Sequence, residues 1–309
     1  MSTPFEAHDA AFHRLIPADG TIERIAGGFS FTEGPVWRDG ALLFSDIPAS
    51  RTVRWRQLPE GPEVTTAYAS TGKANGLTLN AEGRLIRCEH QGRLVSRMVD
   101  DGTATTLADR YQAKRLNSPN DVVVKSDGSI YFTDPPAGLG AVMPDLVPRG
   151  IAVAGAEKEL PFQGVYRLDT GGQLTLLVDD FELPNGLAFS PDEERLYIDD
   201  SLRRHVRIFD VQPDGALANG RIFADMQSPD AGGPDGMKAD VEGNLYCTGP
   251  GGTWVYTPEG TLLGRIITPE QPANLAFGDS DWQTLFLTAQ TSVYRVRVAV
   301  PGMPVGPPA

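Results

Sequence analysis

The chain has 309 residues, a formal net charge of −13 at pH 7 and a hydrophobic content of 40%. That content supports a substantial core, while the negative field argues against nucleic acid as a partner because it repels phosphate backbones. No uninterrupted apolar run approaches the ~20 residues of a membrane-spanning helix, so no membrane span is expected. The opening MSTPFEAHDAAFHRLIP has neither a basic n-region nor a continuous apolar stretch; it does not read as a secretory signal, and cytoplasmic residence is expected. Cys88 and Cys247 lack metal-type spacing and read as two buried thiols rather than a disulfide.

With 34 Gly and 25 Pro, the chain is punctuated for many short strands and leaves little room for long helices. In chain order, six units each start with a short polar residue placed immediately before an apolar strand, a turn and a second strand. They begin at Glu33 (EGPVW, RDG, ALLFSDI), Asn75 (NGLTLN, AEG, RLIRCEH), Asn120 (NDVVVK, SDG, SIYFTDP), Asn185 (NGLAFS, PDEE, RLYIDDS), Asp235 (DGMKAD, VEG, NLYCTGP) and Asn274 (NLAFGDSDWQTLFLTAQ). The enrichment in β-branched and aromatic residues between Gly, Pro, Asp and Asn clusters is a strand signature. Steps of 42, 45, 65, 50 and 39 residues between the markers match the period of a propeller blade. Two more strands complete a unit, as GVYRLD and LTLLVDD do in the third.

Six four-stranded units predict an all-β, six-bladed β-propeller that forms one domain over 1–309, with blades over roughly 20–298. Closing the ring protects the sheet edges, and the pairing expected to close it joins IERIAG to SVYRVRV. A β-sandwich also contains many short strands, but it does not require self-similarity. The Pro/Gly-rich tail 299–309 is expected to be mobile.

In a propeller the first strand of each blade lines the central channel, so all six markers meet at one mouth. The second strand returns there, bringing Asp46, Glu89, His90, Asp134, Asp199 and Asp200 to an acidic rim. The extra length of the longest step falls in 137–162, a predicted lid over that mouth. Glu33, Asn120, Asn185 and Asp235 offer only oxygen donors, two carboxylates and two amide carbonyls, which suit Ca²⁺ or Mg²⁺. His8, His13, His90 and His205 form no H-E-x-x-H and there is no C-x-x-C, so a Cys/His zinc site is not expected, although an oxygen cradle accepts Zn²⁺ or Mn²⁺.

The competing reading is that Asn and Asp before a strand are ordinary turn residues. Glu is not a preferred turn former, so Glu33 favours ligation. Asn75 and Asn274 are the weakest candidates. Strand alternation turns Asp121 away from the axis if Asn120 faces it. His90 ends a strand within reach of the mouth, where a lone His is also a common packing residue. There is no G-x-S-x-G and no Cys–His pair, and the GPGG at 249–252 is followed by Thr253 and Trp254, which do not complete a phosphate loop.

FTEGPVW, SPNDVVVKSDGSIYFTDP, LPNGLAFSPDEERLYIDDS and GGPDGMKADVEGNLY resemble, in order and spacing over roughly 30–290, the motifs of the SMP-30/gluconolactonase/LRE-like family. The resemblance implies a six-bladed propeller that binds a divalent cation in its channel and hydrolyses lactones. By motif it implies Glu33, Asn185 and Asp235 as metal ligands, and Asn120 as a substrate contact or further ligand. The animal branch carries an Arg two residues before that Asn; this chain has Ser118, so recognition of sugar-acid lactones by that Arg does not transfer. Ser118, Asn120 and His90 form the expected substrate-binding set. SPNDVVVKSDGSIYFTDPP and ELPFQGVYRL look closer to the bacterial gluconolactonases.

The implied reaction is opening of a small-molecule lactone by water. The cation, Ca²⁺ foremost, polarises the carbonyl, and Asp235 acts as both ligand and general base. Two alternatives stand beside it: organophosphate or aryl ester hydrolysis on the same cradle, and a non-catalytic interaction platform. The absence of a WD dipeptide and the clustering of acids and amides at one mouth weigh against the platform.

Overall fold

The computed structural model describes residues 4–17, 19–99, 102–139, 150–153 and 155–307. Six antiparallel sheets succeed one another along the chain as the blades of a β-propeller. Their innermost strands are Thr32–Arg38, Ala74–Leu79, Val122–Val124, Pro184–Phe189, Met237–Ala239 and Asn274–Gly278. The first blade continues outward through Ala41–Asp46, Arg51–Leu58 and Gly61–Ala69. Tight turns make these hairpins: Lys125 N–H bonds Ser129 O and Gly128 N–H bonds Lys125 O, both at 2.8 Å. Gly128 sits there at φ 85°, a left-handed conformation that glycine adopts at least cost.

The ring is joined by the two ends of the fold, as the sequence predicts. Glu23–Gly27 pairs with Ser292–Arg297 in the sixth blade, Glu23 lying opposite Arg295. An addition not foreseen is Phe5–Ala7, which pairs with Leu262–Ile266 as a fifth strand on the fifth blade. The single helical turn Phe12–Leu15 that follows buries Phe12, Leu15 and Ile16 with Leu263, Leu285 and Leu287 of the last two blades. Apolar faces pack from blade to blade in the same way around the ring, with Val36 and Leu43 of the first blade against Leu77 and Leu79 of the second.

Strand register is broken where the chain enters the channel. The first, second and fourth inner strands each carry a bulge, between Glu33 and Val36, Ala74 and Leu77, and Pro184 and Leu187. A bulge re-aims the side chains at its position and suspends strict alternation.

The C-terminal tail is held in place through residue 307 rather than projecting. Val241 N–H bonds Pro301 O at 2.9 Å, Gly302 N–H bonds Trp282 O at 2.9 Å and Met303 N–H bonds Ala239 O at 3.1 Å. Val305 then packs against the apolar cluster of the first two blades. The tail therefore runs from the sixth blade past the fifth to the second, across the ends of inner strands remote from the markers. Its composition suggested mobility because Pro and Gly form neither helix nor ladder, yet a proline-rich segment has little freedom to lose when it docks extended.

Gly302 is the tightest point of this strap, since a Cβ there would lie 1.9 Å from Phe277 Cγ. Gly302→Ala is expected to destabilise the protein by about 1–3 kcal/mol, the usual cost of overpacking. Urea unfolding would check this, and an unchanged midpoint would show that the strap is not tightly seated.

Candidate active site at the channel mouth

The marker residues are brought together by contacts between neighbouring blades. Each of four markers is followed by glycine, and a side chain there would strike the next blade. A Cβ on Gly34 would lie 2.0 Å from Asn75 O, one on Gly76 2.6 Å from Asn120 O, and one on Gly186 1.9 Å from Asp235 O. One on Gly236 would lie 2.0 Å from the Asn274 side chain. Hydroxyls of the second strands add stitches: Ser45 Oγ donates to Asn75 O and Thr133 Oγ1 to Asn185 O, both at 2.7 Å, and Thr248 Oγ1 donates to Ala273 O at 2.8 Å. The sequence thus dictates a ring of polar side chains on closely spaced backbone.

That ring forms part of a cavity of about 500 Å³. Glu33, Asn75, Asn120, Asn185, Asp235 and His90 are among its polar groups, together with Ser201, Arg204, Gln271 and Gln290, and Phe31, Ile47, Leu183, Leu202 and Pro272 are among its apolar walls. All four residues expected to hold a metal therefore meet in one cavity. Ser118 does not join them. It is fully buried, its Oγ donates to Pro135 O at 2.5 Å and accepts from Gly138 N–H at 2.9 Å, and it lies outside the cavity lining. Its hydroxyl holds the start of the predicted lid instead of facing a substrate.

The lid expected over 137–162 falls partly outside the described residues. Of the described part, Ala137 and Ile151 line the cavity. Lys73 Nζ grips this segment through Gly150 O at 2.7 Å and Ala152 O at 2.9 Å.

Burial dominates the electrostatics. Glu33 is buried, and its Oε2 accepts from Gly34 N–H at 2.6 Å and from Asn274 Nδ2 at 3.0 Å. Desolvation, reinforced by the nearby Asp121 charge, nevertheless lifts its pKa to about 7. Asp235 is held well above the usual carboxylate range by burial, then by Glu33 and Asp121, and an Asn185 hydrogen bond only partly offsets this. Asn185 Nδ2 also donates to Ser201 Oγ at 3.0 Å, and Ser201 Oγ to Pro234 O at 2.6 Å, which ties the Asn185 and Asp235 loops together. The Asn120 amide has no hydrogen-bond partner among the described residues and is left facing the cavity.

Asp121 departs from the expectation that it turns away. It is buried, its Oδ1 accepts from Val122 N–H at 2.9 Å and its Oδ2 has no partner, and its charge is felt by both Glu33 and Asp235. Alternation fails here because Asn120 and Asp121 precede the regular strand Val122–Val124. Lys238, from the fifth inner strand, is the cation whose field opposes the shifts on Glu33 and Asp121.

The acidic rim divides in two. Asp46, Asp134 and Asp200 are pegs: Asp46 accepts from Ser30 and Phe31 N–H, Asp134 from Asn117 N–H, and Asp200 from Glu182 and Leu183 N–H. They fasten the loops entering the inner strands and do not line the cavity. Glu89 is likewise engaged internally, by Arg87 and Ser96.

Asp199 is the exception. Fully buried and with neither oxygen hydrogen-bonded, it is pushed well above the usual range by burial and then by Asp235. In the blade register it occupies the place of the stitching hydroxyls of Ser45 and Thr133. The signal was present in the doublet Asp199–Asp200, where the first three blades end their second strand with one acid and the last two with none.

His90 is buried with its Nε2 3.3 Å from Asn75 Nδ2. Desolvation, with Lys73 adding, lowers its pKa to about 4, so it is a neutral imidazole at physiological pH.

This donor set fits a hard divalent cation. Two carboxylates buried beside each other are mutually destabilising, as the lift of Asp235 by the Glu33 charge records, and a cation between them would reverse the sign of that interaction. Among the described residues no three acidic, His or Cys side chains converge as a metal cluster, so a cation held here would have to draw on amide oxygens such as those of Asn120 and Asn185.

Comparison with known proteins agrees with this architecture. Residues 31–291 match the family described as SMP-30/Gluconolactonase/LRE-like region. The chain is 34% identical to a gluconolactonase of Zymomonas mobilis, over 92% of this chain and 83% of that protein. It is 30% identical to the pentonolactonase XacC of Haloferax volcanii, over 83% and 80%. A solved gluconolactonase from Xanthomonas campestris superposes with a TM-score of 0.84 at 36% identity, covering 96% of this chain and 94% of that one. With the propeller, its polar ring and these matches in hand, the chain belongs to the SMP-30/gluconolactonase/LRE-like family.

Proposed function

We propose that this protein hydrolyses small lactones of the sugar-acid type at the channel mouth, with a divalent cation, Ca²⁺ foremost, held by Glu33, Asn185, Asp235 and Asn120. The observation that carries the reading is the pair of buried, mutually destabilised carboxylates Glu33 and Asp235, set with two amides in an apolar-walled cavity. Relatives named gluconolactonase and pentonolactonase support the substrate class. When bound, the cation supplies Lewis acidity and charge stabilisation at a carbonyl oxygen.

The chain's own residues do the rest. Asp235 accepts the proton of the attacking water, as a carboxylate of the polar ring that lines the cavity. The free Asn120 amide and the neutral His90 ring are the polar groups for orienting the lactone. Ser118 is left out of the substrate set because its hydroxyl is spent on Pro135 and Gly138. The apolar walls displace bulk water around the bound ring. Two buried free thiols, Cys88 and Cys247, support a reducing, cytoplasmic setting, and no helix among the described residues is long and apolar enough to cross a membrane.

Chelator-stripped protein is expected to lose lactone hydrolysis and to recover it when Ca²⁺, Mg²⁺, Mn²⁺ or Zn²⁺ is returned; acid release on a lactone panel measures it. Full activity after stripping would sink the reading. Asp235→Asn is expected to lower kcat by about 10²–10⁴-fold, the usual range for loss of a general base, and to weaken cation binding in a direct titration.

The cation-free protein also carries a pH signature. Glu33 ionises near pH 4.5 when unfolded and near 7 when folded, so between these values the folded state holds a proton that the unfolded state has released. Stability of the stripped protein therefore falls as pH rises from about 5 to about 8. The gain in Tm on adding cation is expected to be larger at pH 8 than at pH 5, since binding at low pH must first displace that proton. Thermal unfolding with and without cation checks both signs.

A further inference from the structure

The cavity walls pose a selectivity problem. Phe31, Ile47, Leu183, Leu202 and Pro272 would bury an alkyl-substituted lactone as readily as a hydroxylated one. Ser118, fully buried with its hydroxyl bonded on both sides, does nothing to separate the two. Among the described residues Arg204 is the one cationic side chain lining this cavity.

Arg204 sits in the turn between Arg195–Asp200 and His205–Val211, half-buried and at φ 53°. Its flanking arginines are engaged, Arg203 with Glu182 and Arg207 with Asp180. Arg204 pairs with no carboxylate among the described residues; its one hydrogen bond runs from Nη1 to Ser228 O at 2.8 Å. None of its remaining N–H donors is sealed from solvent. A guanidinium carries five donors in a fixed fork, so most of its capacity is unspent beside the cavity. It lines the same cavity as Glu33 and Asp235, and it is carried on the turn after a second strand rather than at the head of an inner strand.

We infer that Arg204 is the specificity-determining residue that selects polyhydroxylated lactones over alkyl lactones; the inference rests on the lactonase reading above. Hydroxyl oxygens on the ring and its substituent accept from the guanidinium as water leaves the cavity. An alkyl group displaces the same water and leaves the donors unpaired. Rejection by unpaired polar groups is a stronger discriminator than gain from apolar contact, so one arginine outweighs the surrounding walls.

A purely structural role is the competing account, because the bond to Ser228 O also braces the loop that delivers Asp235. The two accounts differ in a measurable ratio. Wild type, Arg204→Lys and Arg204→Leu, each loaded with cation and checked for metal content, are assayed on glucono-δ-lactone and on δ-hexalactone. Arg204→Leu is expected to lower kcat/KM on the hydroxylated ring by about tenfold to a hundredfold and to hold or raise it on the alkyl ring, with Arg204→Lys intermediate. Equal loss on both rings, or an unchanged preference, would overturn the inference while leaving the lactonase reading intact. Wild-type protein that opens neither ring would overturn the lactonase reading itself.

Discussion

Where one blade meets the next at the channel mouth, backbone approaches backbone so closely that no side chain fits between them. Gly34, Gly76 and Gly186 each lie where a Cβ would collide with the main chain of the following marker residue. Second-strand hydroxyls then donate into the carbonyls of the neighbouring blade. This contact repeats around the ring and sets the spacing of the polar side chains, so the site inherits its geometry from the closure of the propeller. Residues far apart in sequence, such as Glu33 and Asn274, become hydrogen-bonded partners through it.

The same closeness creates the electrostatic character of the site. Glu33, Asp121, Asp199 and Asp235 are all buried; burial pushes each toward its neutral form, and for Glu33, Asp199 and Asp235 neighbouring acids add to it. A soluble protein ordinarily avoids burying like charges because desolvation and repulsion add. Here Lys238 opposes only part of that cost. The arrangement is coherent if a multivalent cation belongs to the folded protein, which would make cation binding and stability linked properties. The same cavity has apolar walls, with Ser201, Gln271, Gln290 and the cation Arg204 among its further polar lining.

The other end of the channel is treated differently. The strap through Pro301, Gly302 and Met303 crosses it on backbone hydrogen bonds and apolar contacts, and Phe5–Ala7 extends the fifth blade. Both chain ends are thus used to hold the ring together, one through the ladder between Glu23–Gly27 and Ser292–Arg297 and the other through the strap.

Much of this was legible in the chain itself. The recurrence of Glu33, Asn75, Asn120, Asn185, Asp235 and Asn274 before strand–turn–strand patterns determined the blade count, the mouth and the group of oxygen donors, because strand periodicity and turn chemistry are local properties. Side-chain direction at irregular backbone was not legible. Alternation misplaced Asp121, since it stands before the regular strand begins, and the acids ending the second strands looked equivalent although Asp200 pegs a loop while Asp199 faces inward unpaired. Ser118 and Arg204 exchange importance for the same reason: whether a polar group is spent on its own backbone or left open to a cavity depends on neighbours brought from other blades. The repeat and the chemistry of its markers are written in the local pattern of the chain, whereas which polar groups remain unsatisfied emerges from the folded ring, because hydrogen-bond satisfaction is settled by contacts between blades that exist once the ring has closed.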